Sequence, residues 1–398
     1  MKSSIFIFSQ AMELGGVERS LLGLLDSIDY DRCDVDLFLM RHSGELMPYL
    51  NPKANLLPEI RQYASLAIPM ASLIKNGQFG VLCGRLNGKF AARRFNKNHP
   101  SSKPSIAALT YSHKYTLSSM PQISDRTYDL AISFLTPHHF VRERVKAKRY
   151  AAWIHTDYTA LSFDRAEELA MWEGYDAICG VSEETSQSFQ IAFPELAGKV
   201  QTVENILPKD LILNQAEDPQ DESISGSTLS LLSVGRFCEA KNFDNVPDIC
   251  RRLVEDGFDV KWYLIGYGSD EPLIRQKISA AEMQERVIIL GKKDNPYPYI
   301  RACDLYVQPS RYEGKAVTVR EAQLLGKPVV ITKYATSQSQ VEDGVDGVIV
   351  PMDNAGCAAG IAALLHDPER MRQLSENCAK RDYTNSAEIG KIYALMED

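Results

Sequence analysis

The feature that most constrains the fold of this 398-residue chain is an alternation of short apolar runs with helical patterns, which occurs twice. In the first half the apolar runs are residues 5–8, 35–40, 130–134, 150–154, 177–179 and 200–203. The alternation restarts at 229–234 and continues at 260–266, 287–290, 305–307, 329–331 and 348–350. Such an alternation is typical of parallel sheets covered by helices. It predicts an α/β protein with two Rossmann-like, doubly wound domains.

The boundary between these domains is predicted from a break in the alternation. Residues 206–228 are polar and rich in turn-forming residues, which is typical of a linker. We therefore predict an N-terminal domain over 1–206, a linker over 207–228, a C-terminal domain over 229–380, and a last helix over 381–398 that can cross back. Because ligands of such sheets bind beyond the carboxyl ends of the strands, we expect a site in a cleft between the domains.

Composition and the N-terminus indicate a cytoplasmic protein. The first apolar run is short and lacks the cleavage site of a signal peptide, and no run reaches the roughly 20 apolar residues that cross a bilayer. The 8 cysteines are scattered, with no C-x-x-C pair. This distribution favours a reducing compartment over a disulfide framework or a zinc site.

The formal net charge of −8 conceals a basic insertion at about 60–124. It contains nine lysines and arginines and no carboxylate, with apolar residues interleaved. This pattern predicts an amphipathic segment that binds an anionic membrane surface or an anionic acceptor, and the alternative is a mobile, solvated insertion. Nucleic acid is disfavoured because no recognition motif is present. The cations that we single out are Arg85, Lys89, Arg93, Arg94 and Lys97.

Two cations follow the first apolar run of the second half. Gly235 and Arg236 come directly after this run, and Lys241 precedes the next helical pattern. An arginine and a lysine so placed can bind one diphosphate from two sides, although a pair of surface cations would have the same spacing.

Two carboxylates, Glu313 and Glu321, flank the start of a later helix. Backbone N–H groups at such a helix start suit a phosphate, and carboxylates accept hydrogen bonds from sugar hydroxyls. This segment therefore predicts a ligand that carries both a phosphate group and sugar hydroxyls.

The remaining candidate residues lie at the ends of other strands. His155 ends a strand of the first half, where the cleft is expected. Gly16 and Gly266 follow strands at tight turns, where a glycine either approaches a ligand or serves the turn alone. Metal-dependent transferases carry an Asp-x-Asp motif that follows a strand and holds a divalent ion. Asp34-Val35-Asp36 has this sequence but begins a strand, and we interpret it as coincidence.

Taken in order, these motifs resemble the retaining glycosyltransferases of family 4, which have the GT-B fold. The matching residues are Gly235-Arg236, Lys241, Glu313, Glu321 and Gly326-x-Pro328, with weaker matches at Gly15-Gly16 and His155. The resemblance implies transfer of a sugar from a nucleotide sugar, most simply a UDP-sugar, without a metal or other cofactor. These motifs and the basic insertion together predict a lipid-linked saccharide or other cell-envelope glycan as acceptor, and a location at the inner face of the cell membrane.

The resemblance also implies roles for individual residues. Arg236 and Lys241 would stabilise the leaving diphosphate, Glu321 would bind the ribose, and Glu313 would contact the donor sugar. His155 would contact the same sugar from the first domain. Gly235, Gly16 and Gly266 would line the donor site, together with the N–H groups of Gly314, Lys315 and Ala316.

The chain departs from the family pattern at three points, one of which is the basic insertion at about 60–124, which nucleotide binding does not explain. Lys315 stands where many members have an apolar residue, and residues 333–339 replace a glycine-rich turn. The donor sugar is therefore undetermined. The alternatives are a non-catalytic protein that binds sugar nucleotides or glycans, or another GT-B enzyme such as a nucleotide-sugar epimerase or a phosphorylase.

Overall fold

The computed structural model describes residues 2–220, 224, 226, 228–313 and 315–397. Its strands are β1 Ser3–Ser9, β2 Cys33–Leu39, β3 Asn55–Leu56, β4 Thr127–Ser133, β5 Lys146–Ile154, β6 Ala177–Gly180, β7 Val200–Thr202, β8 Leu229–Val234, β9 Val260–Ile265, β10 Val287–Gly291, β11 Leu305–Gln308, β12 Val329–Thr332 and β13 Val348–Val350. Its α-helices are α1 Gly16–Ser27, α2 Arg61–Ala64, α3 Met70–Lys75, α4 Phe79–Asn98, α5 Ala107–Thr116, α6 His138–Arg144, α7 Arg165–Trp172, α8 Glu183–Ala192, α9 Lys209–Gln215, α10 Val246–Glu255, α11 Glu271–Ala280, α12 Tyr297–Ala302, α13 Val317–Leu324, α14 Ser337–Gln340, α15 Asn354–Leu365, α16 Pro368–Ala379 and α17 Ile389–Glu397.

The chain divides into two compact units. Unit 1 contains the residues up to Ile206 and those from Ser386 onward, and unit 2 contains Leu207–Asn385. Among the described residues, unit 1 has a 7-stranded sheet in the order β3-β2-β1-β4-β5-β6-β7, and unit 2 a 6-stranded sheet in the order β10-β9-β8-β11-β12-β13. All strand pairs are parallel, which confirms the predicted fold class.

Each unit buries its central strand on both faces. In unit 1, Ile5 of β1 pairs with Val35 of β2 and with Leu130 of β4, and residues 5–8 are inaccessible to solvent. In unit 2, Leu231 of β8 pairs with Trp262 of β9 and with Leu305 of β11. Strands covered by helices on both faces need apolar side chains at successive positions, which explains their continuous apolar runs.

The basic insertion folds as helices, of which α4 and α5 pack closely together. The contact face of α4 carries small residues four positions apart, Gly84, Gly88 and Ala92. A Cβ atom on Gly84 would lie 2.6 Å from the carbonyl oxygen of Tyr115, and one on Gly88 would lie 2.7 Å from the backbone of Ser112. The small residues therefore allow the two helix backbones to approach closely.

Helix α5 is also attached to α7 by three polar contacts. The Thr110 hydroxyl donates to Glu168 at 2.6 Å, and the Tyr111 hydroxyl donates to Asp164 at 2.5 Å. Lys114 forms an ion pair with Glu167. The insertion is thus built into unit 1 on one side.

The predicted linker differs from the structure. Residues 209–215 form helix α9, and Ile212 is buried in the core of unit 2. Only a few apolar residues of α9 pack into the core, and the residues around them are polar. The sequence pattern therefore predicts a linker instead of a helix. Within it, residues 221–223, 225 and 227 lie outside the described part of the chain.

The C-terminal helix α17 packs within unit 1. The Tyr393 hydroxyl accepts from the backbone N–H of Asp29 at 2.7 Å, and Lys391 donates to the Thr202 carbonyl. No helix in the described residues is both long and apolar enough to cross a membrane.

Candidate functional site

A charged pair lies at the carboxyl edge of the unit 2 sheet. The Lys241 ammonium is 2.5 Å from Oε1 of Glu313, and only 19% and 11% of their side chains are exposed. Lys241 follows β8 and Glu313 follows β11, and these strands are neighbours. The tertiary structure therefore brings together two candidate residues that are 72 positions apart in sequence.

The loops that carry this pair are joined by two other side chains. Asn242 adopts the left-handed conformation at φ 61°, and its buried amide donates to the Pro309 carbonyl at 2.8 Å. Arg311 binds Asp244 through two N–H groups at 2.9 and 2.8 Å. A bidentate contact of this kind fixes orientation as well as distance. Lys241 is thus held beside Glu313 by the residues around it.

Glu313 is further oriented by a chain of buried hydrogen bonds. The Tyr306 hydroxyl donates to Gln308 at 2.9 Å, the Gln308 amide donates to Ser310 at 2.9 Å, and the Ser310 hydroxyl donates to Glu313 Oε1 at 2.6 Å. Ser310 and Gln308 are inaccessible to solvent. The same carboxylate oxygen therefore accepts from both Ser310 and Lys241, which leaves Oε2 of Glu313 without either contact.

The backbone after Glu313 is held by the segment that replaces a glycine-rich turn. The Thr336 hydroxyl donates to the carbonyl of Glu313 at 2.9 Å, and the Gln340 amide donates to the carbonyl of Ala316 at 2.8 Å. Lys315 is half-buried and Ala316 is buried, whereas Gly314 lies outside the described residues. Part of this segment therefore supports the backbone of the site.

Glu321 lies in α13 and is fully buried. One of its oxygens accepts from the Tyr297 hydroxyl at 2.8 Å. A buried carboxylate needs such donors, because removing it from water without them is costly. Tyr297 orients the group that the family resemblance assigns to the ribose.

Two glycines of unit 2, Gly235 and Gly266, lie in loops that approach each other closely. Gly266 has φ 151°, and a Cβ atom there would lie 1.9 Å from the Gly235 carbonyl oxygen. On Gly235 it would lie 3.3 Å from Cε of Lys241. Arg236, the residue after Gly235, is exposed.

In unit 1, His155 directly follows β5. Its Nε2 lies 2.8 Å from the Phe134 carbonyl, which can only accept, so Nε2 carries the proton and Nδ1 is an acceptor. Burial lowers the pKa of His155 to about 4, so the ring is neutral at pH 7. It can therefore accept a hydrogen bond from a hydroxyl group but brings no positive charge. Gly16 is the first residue of α1.

The basic residues of α4 fall into two groups. Lys89, Arg93, Arg94 and Lys97 are exposed. Arg85 instead donates to the carbonyls of Ser65 and Ile68, and burial lowers its pKa. Arg85 thus attaches α4 to the preceding segment.

Sequence reasoning missed the residues that position the site, namely Asn242, Tyr297, Ser310, Arg311 and Thr336. Asn242, Tyr297, Arg311 and Thr336 act through partners far away in sequence, whereas Ser310 acts on the side chain of Glu313, three positions later. Asp36, in contrast, accepts from Tyr128 at 2.6 Å and from Asn55 at 2.7 Å, which is a structural role.

Known proteins resemble the part of the chain that carries this site. Residues 214–381 match the family model described as "Glycosyl transferases group 1". A kanosaminyltransferase of Streptomyces kanamyceticus is 28% identical over 152 residues, which are 37% of this chain and 39% of that protein. The N-acetyl-alpha-D-glucosaminyl L-malate synthase of Bacillus anthracis is 25% identical over 187 residues, which are 46% of this chain and 49% of that protein.

Solved structures match over almost the whole chain. HepE of Anabaena, in complex with UDP and glucose, has a TM-score of 0.66 at 17% identity and covers 98% of this chain and 99% of its own. A glycosyltransferase of Rickettsia africae has a TM-score of 0.68 at 15% identity and covers 100% and 98%. At this identity the likeness shows the fold.

The chain therefore has the GT-B fold, and residues 214–381, which lie in unit 2, are similar to the group 1 glycosyltransferases. The chain spans less than half the length of these two curated relatives.

Proposed function

We propose that this protein is a retaining glycosyltransferase that moves a sugar from a UDP-sugar to a lipid-linked saccharide or another cell-envelope glycan. The observation that carries the proposal is the Lys241–Glu313 pair at the carboxyl edge of unit 2. Matching group 1 relatives and a UDP-bound structure of the same fold support it.

The pair can serve both halves of a nucleotide sugar. An ammonium group has three N–H donors, and Glu313 uses one of those on Lys241. The others are available to a diphosphate, whose charge increases as the bond to the sugar breaks. Oε2 of Glu313 can accept from a sugar hydroxyl. Lys241 and Arg236 would thereby stabilise the leaving group, and Glu313 would orient the sugar.

The chemistry that we propose is the one that the family resemblance implies. The bond between the anomeric carbon and the diphosphate oxygen breaks, and an acceptor oxygen forms its bond on the same face. The acceptor proton passes to a phosphate oxygen of the departing diphosphate. No protein nucleophile is needed, so the carboxylates act as hydrogen-bond acceptors and do not become covalently attached to the sugar.

Helix α4 supports an association with an anionic membrane. Phe79, Leu86 and Phe90 lie on the face opposite Gly84 and Gly88, and they are 59%, 37% and 65% exposed. Arg93 and Lys97 continue this face, with Arg94 at its edge. Aromatic and basic side chains on one helix face fit the interface between lipid headgroups and hydrocarbon. We therefore propose a peripheral position at the inner face of the cell membrane.

The test is a screen of UDP- and GDP-sugars for thermal stabilisation, followed by transfer to lipid-linked and soluble glycans. We expect stabilisation by a UDP-sugar, and a product whose anomeric proton coupling in NMR shows retained configuration. Binding without transfer to any acceptor would favour the non-catalytic alternative. Conversion of the donor without acceptor would favour an epimerase.

A further inference from the structure

Unit 1 contains a cavity of about 230 Å³ that His155 lines on one side and whose apolar wall none of the predicted roles explains. It lies between α5, α7 and the residues that follow β4 and β5, which places it at the carboxyl edge of the sheet. Its wall is mainly apolar and includes Leu109, Leu135, Trp153, Leu161, Met171 and Trp172.

The polar groups of the wall are mostly engaged with the protein itself. Glu168 accepts from Thr110, Tyr158 and Trp172, and burial raises its pKa. His138 is 2.8 Å from the Ser133 hydroxyl. These groups therefore offer little to an ion or a strongly hydrated ligand.

His139 also lines the cavity and differs from the groups just named. Its Nδ1 atom is buried and has no hydrogen-bond partner in the described part of the chain. Burial lowers the pKa of His139 to about 4, so the ring is neutral at pH 7. A buried polar atom without a partner indicates that a ligand or water completes the site. The cavity thus suits an apolar group with one polar atom beside it.

Volume limits the size of this apolar group. A cavity of about 150 Å³ holds a benzene molecule, which has six carbon atoms. The cavity of unit 1, at about 230 Å³, therefore holds roughly eight to ten carbon atoms. Helix α5 forms part of the wall and packs on α4, whose outer face exposes Phe79, Phe90 and the cations described above. The cavity therefore belongs to the same part of unit 1 as the proposed membrane-binding face.

We infer that this cavity binds a hydrocarbon segment of a lipid-linked acceptor, with His139 Nδ1 accepting a hydrogen bond from the polar group next to that segment. The inference rests on the proposed function, because it supplies the acceptor side of the same reaction. It adds a hydrocarbon-binding subsite with a defined capacity.

A chain-length series tests the capacity. Methyl, butyl, hexyl and octyl glucosides share one headgroup and are titrated calorimetrically below their micelle concentrations, without any nucleotide sugar. We expect affinity to rise about fourfold per added methylene until the cavity is filled, at roughly eight carbons. Affinity that does not depend on chain length would overturn the inference.

Substitution at the cavity mouth locates the binding. Leu109 lines the cavity and is 44% exposed, so Leu109→Trp should narrow the mouth without disturbing the core. The matched control is Leu273→Trp in unit 2, at a leucine that is 41% exposed. We expect Leu109→Trp to abolish the chain-length dependence and Leu273→Trp to preserve it. Equal behaviour of the two variants would place the alkyl chain elsewhere.

A negative result in the glucoside titration and a negative result in the transfer assay have different meanings. If the protein transfers sugar but alkyl length changes neither the affinity of the glucosides nor the KM of matched alkyl acceptors, the inference is wrong and the proposed function remains. If alkyl chains bind as expected but no sugar is transferred, the cavity is a hydrocarbon site and the proposed function is wrong.

Discussion

The carboxyl edges of the two sheets offer opposite environments on the same architecture. In unit 2 the edge carries Lys241 and Glu313, which remain partly accessible and are held by a buried hydrogen-bond chain. In unit 1 the corresponding edge carries an apolar cavity and histidines that burial keeps neutral, such as His138 and His155.

Under the proposed function, this difference lets one fold serve two kinds of ligand. A diphosphate requires fixed charge and donors that hardly reorganise, which the unit 2 loops provide through side chains such as Asn242 and Arg311. An apolar group requires shape and the absence of charge, which unit 1 provides by burial. Substitutions that remove these charges or hydrogen bonds, and changes of pH that protonate the buried histidines, test this difference.

The largest effect is expected at the charged edge. Lys241→Ala removes a cation from the proposed diphosphate site and should lower kcat/KM for transfer by about 10²–10³-fold. Release of the nucleotide measures the rate, and Lys380→Ala, at an exposed lysine of unit 2, is the control. Full activity of Lys241→Ala would contradict the site.

A smaller effect is expected for membrane binding through unit 1. Replacing Arg93, Arg94 and Lys97 by glutamine should weaken partition onto anionic vesicles about 100-fold, because each basic residue near such a surface contributes about 1 kcal/mol. Vesicle sedimentation at low salt measures the partition.

The control for this variant changes the charge by the same amount in unit 2, with glutamine at Lys209, Arg252 and Lys380, which are all exposed. If both triple variants lose binding equally, net charge and not the α4 face is responsible.

A change of about tenfold is expected from the residue that orients Glu313. Ser310→Ala removes one hydrogen bond to Glu313, which keeps its contact with Lys241, and should lower kcat by about tenfold, near the lower end of the about 1.5–3 kcal/mol that a hydrogen bond to a charged group contributes. Ser310→Thr, which keeps the hydroxyl, should recover part of the rate. A change in stability alone, with kcat intact, would mean that Ser310 does not position Glu313.

The last effect concerns stability and not activity, and it is a difference in acid stability between the units. Burial lowers the pKa of His138 to about 3 and of His139 and His155 to about 4, against about 6.5 when unfolded. Between these values the unfolded state binds more protons, so the free energy of unfolding falls as pH falls. Each histidine contributes about 1.4 kcal/mol per pH unit in that window.

Hydrogen exchange at pH 7, 6 and 5 measures this loss separately for the two units. We expect protection to decline more steeply in unit 1, because unit 2 contains only His366 of the 7 histidines. Parallel decline in both units would show that the buried histidines do not control acid stability.

Much of the architecture is predictable from sequence because the signals are local. The apolar runs at 5–8 and 229–234 become the central strands β1 and β8, since strands covered on both faces must be apolar throughout. Strand β3 escapes prediction because only Asn55 and Leu56 form it. Helix α9 is missed because a few apolar residues anchor an otherwise polar segment.

The sequence by itself determined the α/β class, the repetition of the alternation and the residue types at the strand ends, because periodicity and turn chemistry depend on neighbouring residues. Only the tertiary structure decided that Lys241 contacts Glu313 and that Ser310 and Thr336 hold the segment in place. It also decided that α5 and α7 enclose a cavity beside His155. Contacts between residues far apart in sequence depend on strand order and helix packing, which no local pattern encodes.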